Sequence, residues 1–276
     1  MYSMDRRFGW LRDLPDFRDY DNTTPSVQGI LVKSKSLSAL QATPRTAKTD
    51  LRQYCSPIED QGNLGSCTAH AGAGLLEYYQ KRARGKFVRL SRLFIYKTTR
   101  DLLGINGDQG ASLRGTMQSM VMLGAPPESY CPYNISKFDT EPSSFQYALA
   151  GNFKTLQYYR LDQGPTRQAN LDRILNSVAA GLPCMFGFTV YSSFPMNGQG
   201  ALIPMPKQGD TVLGGHAVIV VGYDDTQRLL TIRNSWGARW GAAGYGYMPY
   251  DYVLNGLADD FWNVVQESYV DTSLFQ

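Results

Sequence analysis

The sequence predicts an α+β fold with two lobes, because two kinds of pattern occupy different parts of the chain. Helical patterns dominate the first half, whereas short apolar segments rich in β-branched and aromatic residues dominate the second half. Helices followed by strands are typical of folds in which the two element types segregate. With 276 residues, of which 43% are hydrophobic, the chain is long enough to bury one large core or two modest ones.

The first two helices are predicted from their apolar spacing and their end signals. Thr68–Arg84 places apolar residues at helical spacing and finishes in a basic turn before Gly85. Ser91 is a suitable N-cap for a second helix, Arg92–Leu103, which Gly104 ends.

Two further helices are predicted from the same kinds of signal. Ser112 is the candidate cap of a helix that runs through Val121 and closes at Gly124. A shorter helix is expected at Leu171–Ala180, followed by Gly181.

Three strands are predicted in the second half. Met185–Val190, Ala217–Tyr223 and Leu229–Arg233 are short, apolar and rich in β-branched or aromatic residues. The residues at 224–227, Asp-Asp-Thr-Gln, have the composition of a hairpin turn, so the second and third strands should pair. We therefore divide the chain into an N-terminal extension (1–48), a mainly helical lobe (49–150) and a mainly β lobe (151–276).

The N-terminal extension differs in composition from the rest of the chain. It contains Pro15, Pro25 and Pro44, a stretch rich in Lys, Ser, Gln and Thr, and no long periodic pattern. Two interpretations stay open with equal weight. The extension is either a structural strap or a regulatory segment that covers a functional cleft.

Composition and charge exclude several classes of partner. The chain has 27 basic and 24 acidic residues, which gives no electrostatic basis for binding nucleic acid. No apolar run reaches the length of a membrane span, and Met1–Pro15 lacks the apolar centre of a signal peptide. Four cysteines, without paired metal-ligand spacing, predict free thiols. We expect a monomer without metal or organic cofactor. Its thiols favour the cytoplasm or non-classical export, although no compartment is assigned.

Cys67 is the candidate nucleophile. It follows a Gly-Ser turn and stands at the start of the first predicted helix. Unpaired backbone N–H groups and the positive end of the helix dipole favour a thiolate at such a position. A thiolate is the form of cysteine that attacks a carbonyl carbon.

The candidate base is His216, with His70 as the alternative. His70 lies three residues after Cys67 on the same helix, where it reaches the substrate side of a cleft only poorly. His216 opens an apolar strand, so its ring needs a polar partner. Asn234 follows the strand that pairs with this one, and antiparallel pairing brings it beside His216, where its amide oxygen can orient the imidazole.

Two more residues, Gln61 and Trp236, are candidates for supporting roles in the site. Gln61 precedes Cys67 by six residues, and its amide, with the backbone N–H of Cys67, can bind a developing oxyanion. Trp236 can shield the contact between His216 and Asn234 from water. Taken separately, an exposed loop glutamine and a core aromatic residue explain these two positions better than functional roles do.

Together these residues resemble the papain-like cysteine proteases. The matching motifs are Gln-Gly at 61–62, Gly-Ser-Cys at 65–67, Gly-His-Ala with Val-Gly-Tyr at 215–223, and Asn-Ser-Trp-Gly from 234. The resemblance covers the chain from about residue 50 and implies the papain-like fold of a helical lobe and an antiparallel, barrel-like β lobe with a cleft between them. The short extension is typical of the prokaryotic members.

The resemblance also implies the site residues. Cys67 would be the nucleophile, His216 the base and acid, Asn234 the orienting residue, Gln61 the oxyanion donor and Trp236 the shield. Gly110 and Ala111 would hold the substrate backbone. The pocket for the substrate side chain one residue before the scissile residue would be lined by Leu113, Gly187 and Ala217. Because these residues are small or apolar, we expect the pocket to prefer bulky apolar side chains.

One departure from the family pattern concerns a disulfide bridge. Leu64 and Asp108 stand where the family's bridging cysteines occur, so both halves of the bridge are missing together.

The expected activity is hydrolysis of polypeptides through a thioester, with residues 1–48 as a candidate autoinhibitory segment. Two alternatives are a deamidase or acyltransferase with the same triad, and a non-catalytic binding module on the same fold.

Overall fold

Helices crowd the first half of the chain and strands the second half. The computed structural model of the protein describes residues 6–33, 40, 45–196, 198 and 200–269. The helices in these residues are α1 (Pro25–Lys33), α2 (Cys67–Arg84), α3 (Arg92–Leu103), α4 (Leu113–Met122), α5 (Ser144–Ala150), α6 (Arg167–Ala179) and α7 (Asp251–Leu254). Two short 3₁₀ turns lie at Arg52–Tyr54 and Ile135–Lys137.

The strands form one large sheet and one small one. They are β1 (Trp10–Leu11), β2 (Lys48–Asp50), β3 (Ala111–Ser112), β4 (Phe153–Arg160), β5 (Cys184–Tyr191), β6 (Val212–Asp224), β7 (Leu229–Arg233), β8 (Tyr245–Pro249) and β9 (Ala258–Tyr269). In the described residues the large sheet has the order β4-β9-β5-β6-β7-β8, with β2 alongside β6, and its pairings are antiparallel. The small sheet pairs β1 with β3 in parallel.

Helix α2 is the element that joins the two lobes. It packs against α3 and α4 on one side and against β5 and β6 on the other. Most of its residues are buried, including small ones at Ala69, Ala73 and Gly74. Small side chains let a helix approach a sheet closely. The first turn of α2 lies beside β6, since the backbone N–H of Ala217 approaches the sulfur of Cys67.

The predicted α+β fold with two lobes is confirmed, and several element boundaries match. Helix α3 and strand β7 have the predicted bounds, and Ser91 caps α3 by accepting a hydrogen bond from the N–H of Phe94. Helix α6 begins earlier than predicted because Thr166 caps it. The sequence analysis missed α1, α5, β4 and β9. Across the part of the chain that the structure describes, no helix is both long and apolar enough to cross a membrane.

A buried ion pair fixes α2 against α3. The guanidinium of Arg92 donates to both carboxylate oxygens of Glu77, at 2.6 and 2.7 Å. The same carboxylate accepts the N–H of Leu90 at 3.0 Å and the hydroxyl of Ser56 at 2.5 Å. Both charged side chains are buried. Their charges are tolerated in the core because each carboxylate oxygen has two donors.

Replacing Glu77 by alanine is expected to lower the free energy of unfolding by about 3–5 kcal/mol, because Arg92 would remain buried without its partner. Urea unfolding followed by fluorescence measures the change. Glu59→Ala is the matched control, since Glu59 pairs with Arg89 at the surface and its loss should change stability by about 1 kcal/mol or less. Equal effects from the two substitutions would contradict this account.

Candidate active site

Cys67 is the first residue of α2 and is fully buried. The preceding turn holds it in place: Ser66 does not cap the helix with its side chain, but its hydroxyl lies 2.6 Å from that of Tyr133. The hydroxyl of Tyr133 in turn reaches the carbonyl of Gln61 at 2.9 Å. These contacts fix the entry into the helix, so the sulfur has a defined position at its start.

A carboxylate stands where the family pattern has a disulfide. One oxygen of Asp108 accepts the N–H of Gly65 at 2.9 Å and the hydroxyl of Tyr96 at 2.6 Å. The Tyr96 oxygen accepts the N–H of Gly110 at 3.1 Å. We call these three bonds the Asp108–Tyr96 link. It connects the loop before the nucleophile to the segment that leads into β3, and all four cysteines are free thiols.

His216 and Asn234 meet as the sequence analysis expected. His216 is fully buried on β6, and its Nε2 lies 2.7 Å from Oδ1 of Asn234, just beyond β7. The other ring nitrogen, Nδ1, has no hydrogen-bond partner among the described residues. The ring of Trp236 lies over the histidine with a centroid distance of 4.8 Å. Asn234 thus fixes the orientation of the ring.

His70, the alternative base, is placed differently. Its Nδ1 lies 3.0 Å from the carbonyl of Ser66, and its ring packs edge-on against Tyr133. Burial first, and the nearby Arg92 second, lower the pKa of His70 to about 3. A neutral ring bonded to the local backbone is typical of a structural residue.

Burial favours the neutral forms of Cys67 and His216. It raises the pKa of the Cys67 thiol to about 11, although N–H groups of Ala217 and Gly9 approach the sulfur and act in the opposite direction. It lowers the pKa of His216 to about 4, although the hydrogen bond that Oδ1 of Asn234 accepts from the ring acts in the opposite direction. The thiolate expected from the helix start is therefore not the favoured form while the site is covered.

The cover is the segment of residues 6–13, which we call the cleft segment. Its strand β1 pairs in parallel with β3, and the carbonyl of Gly9 accepts the N–H of Ala111 at 2.8 Å. A Cβ atom added at Gly9 would lie 1.8 Å from the carbonyl oxygen of Gly65. One added at Gly110, whose φ is +81°, would lie 2.2 Å from the carbonyl oxygen of Gly9. Glycine at these positions permits direct backbone contact.

The residues before Gly9 lie against the catalytic candidates. The ring of Phe8 contacts those of His216 and Trp236, with centroid distances of 6.4 and 6.3 Å. The amide nitrogen of Gln61 donates to the carbonyl of Arg7 at 3.2 Å. Arg6 forms an ion pair with Asp60. The cleft segment therefore accepts a hydrogen bond from the Gln61 amide, which is the group that the sequence analysis predicted to bind an oxyanion.

The predicted substrate-binding residues divide into two groups. Gly110 and Ala111 contact the backbone of Gly9, and Gly187 contacts the ring of Trp10. Ala217 lies beside the thiol of Cys67, whereas Leu113 is buried at the start of α4.

Sequence reasoning missed two residues of the site, Gly215 and Asp260, which both contact Trp10. Two adjacent aspartates inside the apolar run of β9 were the available signal for Asp260.

A buried thiol at a helix start, together with a histidine on the adjacent strand that is bonded to an asparagine, is the arrangement of thiol-dependent hydrolases. The family model for papain family cysteine proteases matches residues 45–260. The chain belongs to that family and is a cysteine peptidase, as its motifs predicted.

Comparison with known proteins supports the family in sequence. An uncharacterized peptidase C1-like protein of Acanthamoeba polyphaga mimivirus is 33% identical over 278 residues, covering 96% of this chain and 88% of that protein. Mouse cathepsin K (Mus musculus) is 26% identical over 204 residues, covering 71% of this chain and 56% of the cathepsin. The chain thus spans little more than half the length of this cathepsin.

Solved structures show the same fold. Xylellain, a cysteine protease from Xylella fastidiosa, superposes with a TM-score of 0.80 at 34% identity, covering 98% of each chain. Digestive procathepsin L 3 of Tenebrio molitor gives a TM-score of 0.64 at 21% identity, covering 84% of this chain and 78% of that one. At that identity the second match is evidence of fold alone.

Proposed function

We propose that the protein hydrolyses peptide bonds by a Cys-His-Asn mechanism and that its own N-terminal segment holds it inactive. The observation that carries the catalytic part is the 2.7 Å bond between His216 Nε2 and Asn234 Oδ1, with Nδ1 unpaired in the cleft that contains Cys67.

In the proposed reaction, the sulfur of Cys67 attacks the peptide carbonyl carbon while His216 takes up the thiol proton. Gln61 and the backbone N–H of Cys67 stabilise the negative oxygen, and one such donor contributes about 3–4 kcal/mol in the transition state. His216 then gives the proton to the departing amine, which leaves a thioester on Cys67. Water, deprotonated by His216, attacks the thioester and releases the acid and the free thiol.

The cleft segment would inhibit the enzyme because it contacts the groups that a substrate would need. Gly9 presents an N–H group to the sulfur of Cys67, and its carbonyl accepts the N–H of Ala111, so the segment lies directly over the nucleophile. The Arg7 carbonyl takes the amide of Gln61. The segment also buries Cys67 and His216, which keeps both neutral. Its departure would let water and substrate stabilise a thiolate–imidazolium pair.

The test uses full-length Gly9→Ala protein, in which the added methyl group collides with Gly65. A peptide library is incubated with it, and the products are identified by mass spectrometry. We expect cleaved peptides, together with labelling by a peptidyl epoxide on Cys67 and not on Cys55, Cys131 or Cys184. Deamidated or acyl-transferred peptides without cleavage would instead support the alternative enzyme class. Absence of any product from a folded protein would favour a binding module.

A further inference from the structure

One tyrosine hydroxyl connects two segments that border the cleft. The hydroxyl of Tyr96, on α3, donates to Oδ1 of Asp108 at 2.6 Å and accepts the N–H of Gly110 at 3.1 Å. The same carboxylate oxygen accepts the N–H of Gly65 at 2.9 Å. Gly65 belongs to the loop before Cys67, and Gly110 immediately precedes β3. The Asp108–Tyr96 link therefore reaches both the loop of the candidate nucleophile and the segment expected to hold the substrate backbone.

The side chain of Tyr96 is itself held firmly. It is fully buried, and the buried guanidinium of Arg100 lies over its ring at 4.6 Å from the centroid. That guanidinium is fixed in turn, because it donates to the carbonyls of Gly107 and Phe138 at 2.8 and 2.6 Å. Packing and hydrogen bonds of this kind lock the position of a supporting side chain. The hydroxyl of Tyr96 is thus a rigid anchor for the groups bonded to it.

On the nucleophile side the link fits closely. A Cβ atom added at Gly65 would lie 2.9 Å from Oδ1 of Asp108, so only glycine lets the carboxylate approach this backbone. The carbonyl of the preceding residue, Leu64, accepts the Gln61 amide at 2.9 Å. The peptide between Leu64 and Gly65 therefore touches one proposed oxyanion donor and precedes the other, the N–H of Cys67, by two residues. A charged acceptor holds such a peptide more strongly than a neutral one does.

We propose that Asp108 and Tyr96 are positioning residues of the active site, with separate effects on its two sides. Asp108 holds the loop that carries the oxyanion donors, whereas Tyr96 holds the segment that binds the substrate backbone. They act through Gly65 and Gly110 and not by contact with the reacting atoms. The proposal rests on the proposed peptidase function and adds two residues to it.

The two residues should affect different kinetic constants. A displaced loop moves the oxyanion donors, which act in the transition state, and a displacement of about 1 Å can cost about 100-fold in rate. Asp108→Ala is therefore expected to lower kcat by roughly 10- to 100-fold with little change in KM. In Tyr96→Phe the N–H of Gly110 loses its acceptor. Contacts to the substrate backbone form in the ground state as well, so KM should rise roughly 3- to 10-fold while kcat changes little.

The experiment measures kcat and KM for one peptide with full-length Gly9→Ala protein as the parent. Asp108→Ala, Asp108→Asn and Tyr96→Phe are each added to it. The amide oxygen of asparagine can still accept from Gly65 and from Tyr96, so Asp108→Asn should recover most of the kcat that alanine loses. Urea unfolding of each variant shows that the chain is folded.

Two control variants isolate the effect. Arg7 of the cleft segment donates to Oδ2 of Asp108 at 3.2 Å, so Asp108→Ala also loosens that segment. Arg7→Ala removes the same contact without touching the loop, and it should lower neither kcat nor kcat/KM. Tyr250 is buried, and its hydroxyl donates to Asp225 at 2.9 Å in the turn after β6. Tyr250→Phe removes a similar tyrosine–aspartate bond there and should change neither constant.

Three results would overturn the proposal. They are a folded Asp108→Ala protein with the parent's kcat, equal changes of both constants in Asp108→Ala and Tyr96→Phe, and a Tyr250→Phe variant that is impaired to the same extent. If Asp108→Ala does not fold, Asp108→Ser takes its place, since the serine hydroxyl ends one bond short of the carboxylate oxygen. If Gly9→Ala does not fold, Arg7→Ala serves as the parent.

A binding measurement separates this proposal from the proposed function. The same peptide is titrated into the parent protein that also carries Cys67→Ala, with and without Tyr96→Phe. The second substitution should raise Kd, as it raises KM. A raised Kd without any hydrolysis by the parent would contradict the peptidase function and keep the assignment of Tyr96. An unchanged Kd in a parent that does hydrolyse peptides would sink the role of Tyr96 and leave the peptidase function standing.

Discussion

Full-length protein with Gly9→Ala is expected to hydrolyse peptides roughly 5- to 150-fold faster than the native chain. The new methyl group would lie 1.8 Å from the carbonyl oxygen of Gly65 and 2.4 Å from its carbon. Both are backbone atoms of the loop before Cys67, which the Asp108–Tyr96 link holds in place, so the cleft segment has to move instead. One extra methyl group in a well-packed site typically costs about 1–3 kcal/mol. This cost would shift the equilibrium between the covered and the open cleft roughly 5- to 150-fold towards the open form.

The measurements are the rate of peptide hydrolysis and the rate of Cys67 labelling, since both require an open cleft. Gly29→Ala is the control within the same N-terminal region: Gly29 lies in α1, and no atom lies within 4 Å of its added Cβ. That substitution should leave both rates unchanged. A folded Gly9→Ala protein with native rates would mean that the cleft segment does not limit access to the site.

In the opened Gly9→Ala protein, Cys67→Ala and His216→Ala are each expected to lower kcat by roughly 10⁴-fold or more. Alanine at position 67 removes the nucleophile, and alanine at position 216 removes the group that takes and returns its proton. Because the two residues act as one unit, the double variant should be little worse than either single one. Steady-state hydrolysis of one peptide, measured for all three variants, gives the comparison.

His70→Asn separates the two histidines. The asparagine amide can still donate to the local backbone, so the variant should keep most of the opened protein's activity if His70 is structural. Asn234→Ala should fall between these cases, because the imidazole remains but loses the oxygen that orients it. Loss of activity in His70→Asn equal to that in His216→Ala, with the fold intact, would reverse the assignment of the base.

The sequence was sufficient for the elements and residues whose signals are local. Helix α3 was predicted with its bounds because Ser91 and Gly104 mark its two ends. His216 and Asn234 could be brought together because β6 and β7 form one antiparallel hairpin. Its last pair is Ile219 with Arg233, and both residues lie just beyond that end. A short connection between neighbouring strands restricts their geometry strongly, so spacing alone was informative.

Features that depend on distant contacts could not be predicted in this way. Strands β4 and β9 pair with each other across more than a hundred residues, and polar side chains interrupt the apolar pattern of each. The course of the cleft segment depends on close backbone approach to Gly65 and Gly110. A glycine in a sequence shows freedom to approach another chain segment, but not which segment approaches it.

The Asp108–Tyr96 link has a practical consequence for handling the enzyme. Where a disulfide holds the loop before a catalytic cysteine, a strong reductant that keeps the cysteine reduced can also reduce that disulfide. Here Gly65, Tyr96 and Asp108 hold that loop with hydrogen bonds, and the cysteines are unpaired. Dithiothreitol can therefore keep Cys67 reduced without loosening the loop, and the active site should tolerate swings in redox potential that would dismantle a disulfide-supported one.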